Sequence, residues 1–223
     1  MVFRHELKHE ISYADVLVVR QRLKCIASID THATDGKYKI RSLYFDNVSD
    51  KALREKLDGV SRREKFRIRY YNDDLSVIKL EKKCKAGGLG NKQTASLTLD
   101  ETRKIVEGDY EWMLESKRPV AEELYVKLTT QGLRPKTIVD YIREPFVYAP
   151  GNVRVTLDYD IRTGLCGIDF LNPDCVMIPA NDAPIILEVK WDDFLPDIIR
   201  DAVQLEGCRT GAFSKYAACR MYD

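Results

Sequence analysis

Lysine and arginine residues recur at every second position in several segments of this chain. Arg67 and Arg69 flank a single isoleucine, and Lys83, Arg154 and Lys190 lie in similar alternating runs. A planar guanidinium can donate two hydrogen bonds to phosphate oxygens, and a lysine ammonium supplies a compact positive charge. Because clustered cations repel one another, the pattern favours a site that a bound polyanion neutralises.

Carboxylates are interleaved with these cations, at Glu6, Glu81, Asp158 and Glu188. Hard divalent cations such as Mg²⁺ and Mn²⁺ bind carboxylate oxygens and bridge the oxygens of phosphate groups. Cations together with acidic metal ligands are the components of a phosphoryl-transfer site. The residues therefore predict that chemistry.

Other kinds of catalytic site find little support in the sequence. The three histidines all lie within the first 32 residues, which argues against a histidine-rich metal site or a Ser-His-Asp triad. The phosphate-binding motif G-x-x-x-x-G-K-[ST] does not occur. Residues 87–92 are glycine-rich and end in Lys92, but they lack that spacing, and we interpret them as a flexible hairpin loop.

The alternation itself predicts β-strands, because successive side chains of a strand point to opposite faces. Strands are predicted over 3–11, 38–46, 64–71, 77–85, 136–144, 153–162 and 185–191, with a weaker candidate near 174–178. Helices are predicted over 13–27, 48–57, 98–107, 117–131, 193–207 and 213–221. Ser12 and Asp15 form a capping-box pattern that opens the first helix, and residues 72–74 form a hairpin-turn sequence.

The polar faces of four predicted strands have an excess of cations, although lysine and arginine have poor strand preference. One explanation is an ordinary antiparallel sheet with a solvated face, where both signs of charge would mix. The other is a closed barrel, since about eight strands enclose a space wide enough for side chains and a slim ligand. We predict an α+β fold: an eight-stranded antiparallel β-barrel (a tunnel) with a cationic interior, helices packed outside, and a single domain over residues 1–223.

The composition limits the class of protein. The 223 residues include 36 Lys plus Arg and 35 Asp plus Glu, a net charge of +1, so we expect no nucleic-acid partner. The charged N-terminus has no apolar run behind it, and no stretch approaches the roughly 18 apolar residues of a spanning helix. The six cysteines show no C-x-x-C spacing, so we expect reduced thiols in a cytoplasmic protein without a membrane segment of its own.

Seven short motifs, in this order, resemble a known family. They are Glu6-x-Lys8, Ser-Leu-Tyr-Phe-Asp-Asn at 42–47, Arg-Ile-Arg-Tyr-Tyr at 67–71, Leu-Glu-Lys-Lys at 80–83, Arg-Val-Thr-Leu-Asp at 154–158, Leu-Glu-Val-Lys at 187–190 and Ser-Lys-Tyr at 214–216. The set resembles the VTC domain, the polyphosphate polymerase domain of the vacuolar transporter chaperone complex. That domain belongs to the triphosphate tunnel metalloenzyme (CYTH-like) superfamily. The resemblance spans nearly the whole chain.

The resemblance implies a tunnel in which the terminal phosphate of ATP is transferred to a polyphosphate chain with Mn²⁺ or Mg²⁺. The phosphate contacts that it assigns to catalysis are Lys8, Arg67, Arg69, Lys83, Arg154 and Lys215. The further substrate-binding candidates are Arg54, Lys92, Lys190 and Ser214. The expected metal ligands are Glu188 and Glu6. No matched residue is a protein nucleophile, so the resemblance implies direct in-line transfer from ATP to polyphosphate.

One position departs from the superfamily pattern. Many members begin with E-x-E-x-K, whose two glutamates help to bind metal, and here the first of these positions is Arg4. This weakens the alternatives of a triphosphate or tripolyphosphate hydrolase and of a class IV-type adenylyl cyclase. A non-catalytic module that binds polyphosphate or another polyanion is an alternative of a different class, and the oligomeric state stays open.

Overall fold

Ten β-strands form one antiparallel sheet in the computed structural model, which describes residues 4–87, 89–180, 183–208 and 210–220. The strands are β1 (His5–Ile11), β2 (Ser28–Ile29), β3 (Tyr38–Asp46), β4 (Arg63–Tyr71), β5 (Asp74–Ala86), β6 (Leu89–Leu97), β7 (Arg134–Tyr148), β8 (Val153–Thr163), β9 (Ile178–Pro179) and β10 (Ile185–Trp191). The two-residue strands β2 and β9 pair only with β7 and β8 and lie off the main path of the sheet.

The eight long strands follow one another in the order β1-β10-β8-β7-β3-β4-β5-β6. Every pairing along this path is antiparallel. The two edge strands meet at an antiparallel bridge between Arg4, which precedes β1, and Gly90 of β6. The sheet therefore curls into a barrel, and the predicted α+β fold with eight antiparallel strands is confirmed.

Strand β6 is absent from the sequence prediction. Its sequence, Leu-Gly-Asn-Lys-Gln-Thr-Ala-Ser-Leu, is mostly polar and has no apolar alternation. It forms because its backbone pairs along its whole length with β5. The weaker strand predicted near 174–178 is confirmed only at its end, where the two-residue β9 begins at Ile178. The hairpin loop predicted over 87–92 is shorter than expected, because Gly87 lies in the turn after β5 and residues 89–92 already belong to β6.

Six α-helices lie within the described part of the chain. They are α1 (Tyr13–Ile26), α2 (Lys51–Leu57), α3 (Leu99–Glu107), α4 (Pro119–Thr130), α5 (Asp197–Val203) and α6 (Lys215–Arg220). The predicted capping box is present, because the Ser12 hydroxyl accepts from the Asp15 amide at 3.2 Å and the Asp15 carboxylate accepts from the Ser12 amide at 2.9 Å. No helix of the described residues is long and apolar enough to cross a membrane. The predicted element ends at residues 3 and 221 lie outside the described residues.

Apolar side chains on the outer face of the barrel pack against the helices. Ile68 of β4 belongs to a buried cluster with Ile105 of α3 and Leu124 of α4. Leu157 of β8 belongs to a second cluster with Val19 of α1. Since neighbouring residues of a strand face opposite ways, the charged residues between these apolar ones point into the barrel.

Candidate functional site

Charged side chains occupy the inward faces of seven strands and the first residue of α6. We call this set of described residues the interior cluster. Its cations are Lys8, Lys65, Arg67, Arg69, Lys83, Lys92, Arg143, Arg154, Lys190 and Lys215, and its acids are Glu6, Glu81, Asp158 and Glu188. The cations outnumber the acids, so the cluster has an excess of positive charge inside a protein of net charge +1.

Glu188 of β10 binds three cations of the interior cluster. Its Oε1 lies 3.2 Å from Lys8 Nζ, and its Oε2 accepts hydrogen bonds from Lys190 Nζ at 2.8 Å and from Arg143 Nη2 at 3.4 Å. Burial alone would raise the pKa of this carboxyl, but the charges of Lys190, Lys8 and Arg143 outweigh burial. The pKa therefore lies well below its ordinary value. The carboxylate is therefore ionised at neutral pH, as a metal ligand must be.

Asp158 of β8 is a second fully buried acid beside Glu188. Its carboxylate accepts two hydrogen bonds from Arg143 and one from Lys215, all at 2.6 Å. The Lys215 ammonium also lies 4.6 Å from the centre of the Tyr141 ring, within the range of a cation–π contact. Arg143 thus joins the two acids, and together they hold the cations of this wall in fixed positions.

Glu81 of β5 is fully buried and binds three further cations. Its Oε2 accepts from Arg67 Nε at 2.9 Å and from Arg67 Nη2 at 2.8 Å. Its Oε1 lies 2.7 Å from Arg69 Nη2 and 3.2 Å from Lys92 Nζ. Arg67 Nη1 also donates to the Tyr44 hydroxyl at 2.9 Å. The guanidinium of Arg67 is therefore fixed in one orientation before any ligand binds, which is what positioning of a phosphate group requires.

Two lysines of the interior cluster have no carboxylate within ion-pair distance among the described residues. Lys83 of β5 lies opposite Lys65 of β4 on one side and opposite Lys92 of β6 on the other. Like charges in such cross-strand positions destabilise a sheet. Burial, together with the neighbouring charges of Lys8 and Arg67, lowers the pKa of Lys65 to about 7. Burial and Arg67 likewise hold the pKa of Lys83 well below its ordinary value.

Arg154 lies at the margin of the interior cluster, with its side chain 38% exposed. Its Nη2 donates to the Tyr38 hydroxyl at 3.0 Å and contacts the Asp30 carboxylate. Arg54, by contrast, lies exposed on α2, and its side chain makes no hydrogen bond or ion pair within the part of the chain that the structure describes. Among the described residues, no hydrogen bond or ion pair therefore joins the Arg54 side chain to the other predicted residues, and its role stays a prediction.

Helix α6 places Lys215 against the barrel interior. The Ser214 hydroxyl accepts a hydrogen bond from the Ala217 amide at 3.4 Å, so Ser214 caps the first turn of the helix. The Tyr216 hydroxyl donates to Asp46 Oδ2 at 2.7 Å, and both residues are buried. These two contacts fix the helix beside Asp158, and Lys215 is held between them.

A comparison with protein-family models identifies the VTC domain over residues 3–222. The chain belongs to the VTC domain family. The match confirms the resemblance to the VTC domain seen in the seven motifs. A comparison with curated proteins gives no match.

Several solved structures are similar to this VTC domain over most of its length. The PH1819 protein from Pyrococcus horikoshii OT3 has 12% identity and a TM-score of 0.46, with 90% of this chain and 84% of that chain covered. A candidate adenylate cyclase from Bacillus halodurans has 12% identity and a TM-score of 0.46, with 89% and 86% covered. Another from Vibrio parahaemolyticus has 11% identity and a TM-score of 0.48, with 90% and 82% covered. The family assignment rests on the family match alone.

The first strand of this VTC domain provides one carboxylate to the interior, that of Glu6. Arg4, at the other position, turns away, because its Nε lies 2.7 Å from Asp192 Oδ1 and its guanidinium contacts the Asn152 carbonyl. Among the described residues, no group of three His, Cys, Asp or Glu side chains is arranged to hold a metal alone. Mg²⁺ usually takes one or two carboxylates and completes its shell with water and phosphate oxygens. Glu188 and Glu6, which share contact with Lys8 at 3.2 Å and 2.7 Å, fit that donor set.

Three interior residues of the VTC domain are missing from the predicted site: Arg143, Lys65 and Tyr44. Arg143 pairs with Asp158 through the β7–β8 register, which no local pattern reveals. Tyr44 enters the site only as the partner of Arg67. Lys65 follows the same alternation as Arg67, so the sequence contained a signal for it.

Binding of a phosphate chain to this VTC domain is expected to draw protons from solution near pH 8. At that pH the free protein holds Lys65 mainly neutral, because its pKa is about 7, whereas a phosphate beside it favours the ammonium form. Because binding takes up protons, the affinity for the phosphate chain should fall as the pH rises from 7 to 9. Isothermal titration of tripolyphosphate at pH 8, in two buffers of different ionisation enthalpy, measures the uptake. A binding enthalpy that is independent of the buffer would contradict this prediction, and Lys65→Met should show a smaller uptake.

Proposed function

We propose that this VTC domain transfers the terminal phosphate of ATP to a polyphosphate chain held inside the barrel. The observation behind the proposal is the excess of inward cations, among which Lys65 and Lys83 have no acidic partner in the described residues. From Lys65 to Arg69, the inward cations of β4 extend over about 13 Å. That distance exceeds the size of one phosphate group, so a ligand with several linked phosphates fits the site better than a single anion.

The proposed roles of the cations follow from their contacts. Arg67 and Arg69 bind the phosphate oxygens on the β4–β5 wall, where Glu81 holds both guanidinium groups in place. Lys8 and Lys190 bind phosphate oxygens near Glu188. A terminal phosphate oxygen is already ionised near pH 7 and needs little help from a base. Positioning and charge stabilisation by the cations are therefore the main contributions that the reaction requires.

Glu188 and Glu6 are the residues that would hold Mn²⁺ or Mg²⁺ together with phosphate oxygens. When bound, the metal neutralises part of the charge on the phosphates and aligns them. Arg143 and Lys190 orient Glu188 through its Oε2, and within the described part of the chain its Oε1 contacts Lys8 alone. This arrangement keeps one carboxylate oxygen directed towards the first strand, where Glu6 lies.

Incubation of the purified protein with ATP and Mn²⁺ tests the proposal. We expect ADP and long-chain polyphosphate to accumulate together, and we expect neither without a divalent metal. Separate assays for polyphosphate, ADP and free phosphate distinguish the outcomes. Free phosphate without polymer would overturn the proposal in favour of hydrolysis. Tight, salt-dependent binding of polyphosphate without turnover would overturn it in favour of a binding module.

A further inference from the structure

A row of cations continues beyond the interior cluster towards the open end of β4 and β5. Arg63 lies opposite Lys85, two residues beyond the pair formed by Lys65 and Lys83. On its other side Lys85 faces Gly90 of β6, which has no side chain. Arg63 donates to the Val60 carbonyl at 2.5 Å, and neither Arg63 nor Lys85 has a carboxylate within ion-pair distance among the described residues. Two like-charge pairs thus follow one another along these strands.

Lys56 of α2 adds a third cation to this end of the barrel. The segment between α2 and β4 places Lys56 beside Arg63, because the Val60 amide donates to the Glu55 carbonyl at 3.0 Å and Arg63 donates to the Val60 carbonyl. Burial lowers the pKa of Lys56, and the charges of Arg63, Lys8 and Lys85 lower it as well. The nearest acid in its own helix, Glu55, lies 3.8 Å from Lys51. Lys56 itself is half-buried and makes no ion pair in the described residues. Three half-buried cations from three elements (α2, β4 and β5) therefore lie together without an acid to neutralise them among the described residues.

The other end of the same two strands has the opposite character. Asp73 lies in the turn that joins β4 to β5, and Asp74 is the first residue of β5. Asp73 Oδ1 lies 3.1 Å from Lys39 Nζ. A polyanion that follows β4 and β5 is repelled by the acids at the turn and attracted at the end where Arg63 and Lys85 lie. The charge distribution therefore gives the path of the ligand a direction.

We propose that Lys56, Arg63 and Lys85, which we call the rim site, bind the part of a linear phosphate chain that extends beyond the barrel interior. This inference rests on the proposed function, because a chain held by the interior cluster is what reaches the rim. Arg63 lies about 20 Å from Arg69 along β4, so only a chain longer than tripolyphosphate reaches from the far end of the interior cluster to the rim. The ligand class is inorganic polyphosphate of several tens of units.

The test compares a short and a long ligand on matched charge variants. Lys56→Gln/Lys85→Gln removes two rim charges, and Lys24→Gln/Lys104→Gln removes two from exposed positions on α1 and α3. We expect the rim variant to bind long-chain polyphosphate about tenfold more weakly, with tripolyphosphate affinity changed by less than about twofold. The slope of log K against log salt should decrease by about 2 for the long chain only. The control variant should change neither affinity by more than about twofold.

The outcomes separate this inference from the proposed function. Unchanged affinity of the rim variant for the long chain would overturn the rim site while leaving the proposed function in place. Equal weakening for both ligands would also overturn it, because Lys56 and Lys85 would then belong to the interior site. If the wild-type protein bound neither ligand, the proposed function itself would fail, and the rim site with it.

Discussion

Replacing Glu188 by glutamine is expected to lower turnover of ATP at least about 100-fold, while tripolyphosphate affinity changes by less than about tenfold. The amide keeps the shape of the side chain but removes the charge that a divalent metal requires. Anion binding persists because Lys8, Lys190 and Arg143 remain and lose a competing negative charge. Turnover with Mn²⁺ and titration of tripolyphosphate without metal measure the two effects separately.

Glu144→Gln is the matched control for this prediction. Glu144 is also a buried acid that accepts two hydrogen bonds from one arginine, Arg20, at 2.7 Å and 2.8 Å, but it lies on the outer face of the barrel against α1. Both substitutions should lower the thermal stability, since each leaves a cation without its charged partner: Arg20 in Glu144→Gln and Lys190 in Glu188→Gln. Only Glu188→Gln should abolish turnover in the folded fraction. Equal loss of turnover in the two variants would refute the metal-binding role, and so would full turnover in Glu188→Gln.

The alternation of side chains predicted most of the barrel, because a strand with one apolar face alternates apolar and polar residues in its own sequence. Two predicted strands, 38–46 and 185–191, have the bounds of β3 and β10. Strand β6 has no such alternation in its sequence, and it forms by backbone pairing with β5. In β8 the predicted alternation breaks at Asp160, whose φ of 49° marks a bulge. Ile161 consequently packs with Tyr38 in the interior, although the pattern places it on the same face as Leu157.

The site could be predicted only as far as the alternation and the motifs allow. Spacing along one strand was enough to place Arg67 and Arg69 on the same face, because residues two positions apart in a strand point the same way. The partners of Glu188 come from β1, β7 and β10, so its environment depends on which strands are neighbours. The same reason explains why Arg143, although buried in the site, could not be distinguished from an exposed residue. The structure adds that the acids hold the cations in place, whereas the alternation indicates only an excess of cations on the polar faces of the strands.

Substitution of Arg67 by lysine is expected to weaken tripolyphosphate binding about tenfold or more and to lower turnover in proportion. Arg67 uses three of its five N–H groups, two on Glu81 and one on Tyr44, so two remain to donate to a phosphate. A lysine keeps the charge but has a single nitrogen, and it cannot bind Glu81 and a phosphate in the same geometry. Titration of tripolyphosphate and the rate of ADP formation are the measurements.

Arg41→Lys separates a loss of geometry at the site from a general loss of stability. Arg41 is a buried arginine on the neighbouring strand β3, and it donates to Asp140 at 3.0 Å, 3.2 Å and 2.9 Å on the outer face of the barrel. Because the guanidinium of Arg41, like that of Arg67, binds one carboxylate, Arg41→Lys should destabilise the fold at least as much as Arg67→Lys. Its effect on phosphate affinity should nevertheless be less than about twofold, since no inward cation contacts it. If Arg67→Lys binds tripolyphosphate as tightly as the wild type, or if the two variants lose affinity equally, then Arg67 does not contact the ligand and the proposed binding wall of β4 and β5 is wrong.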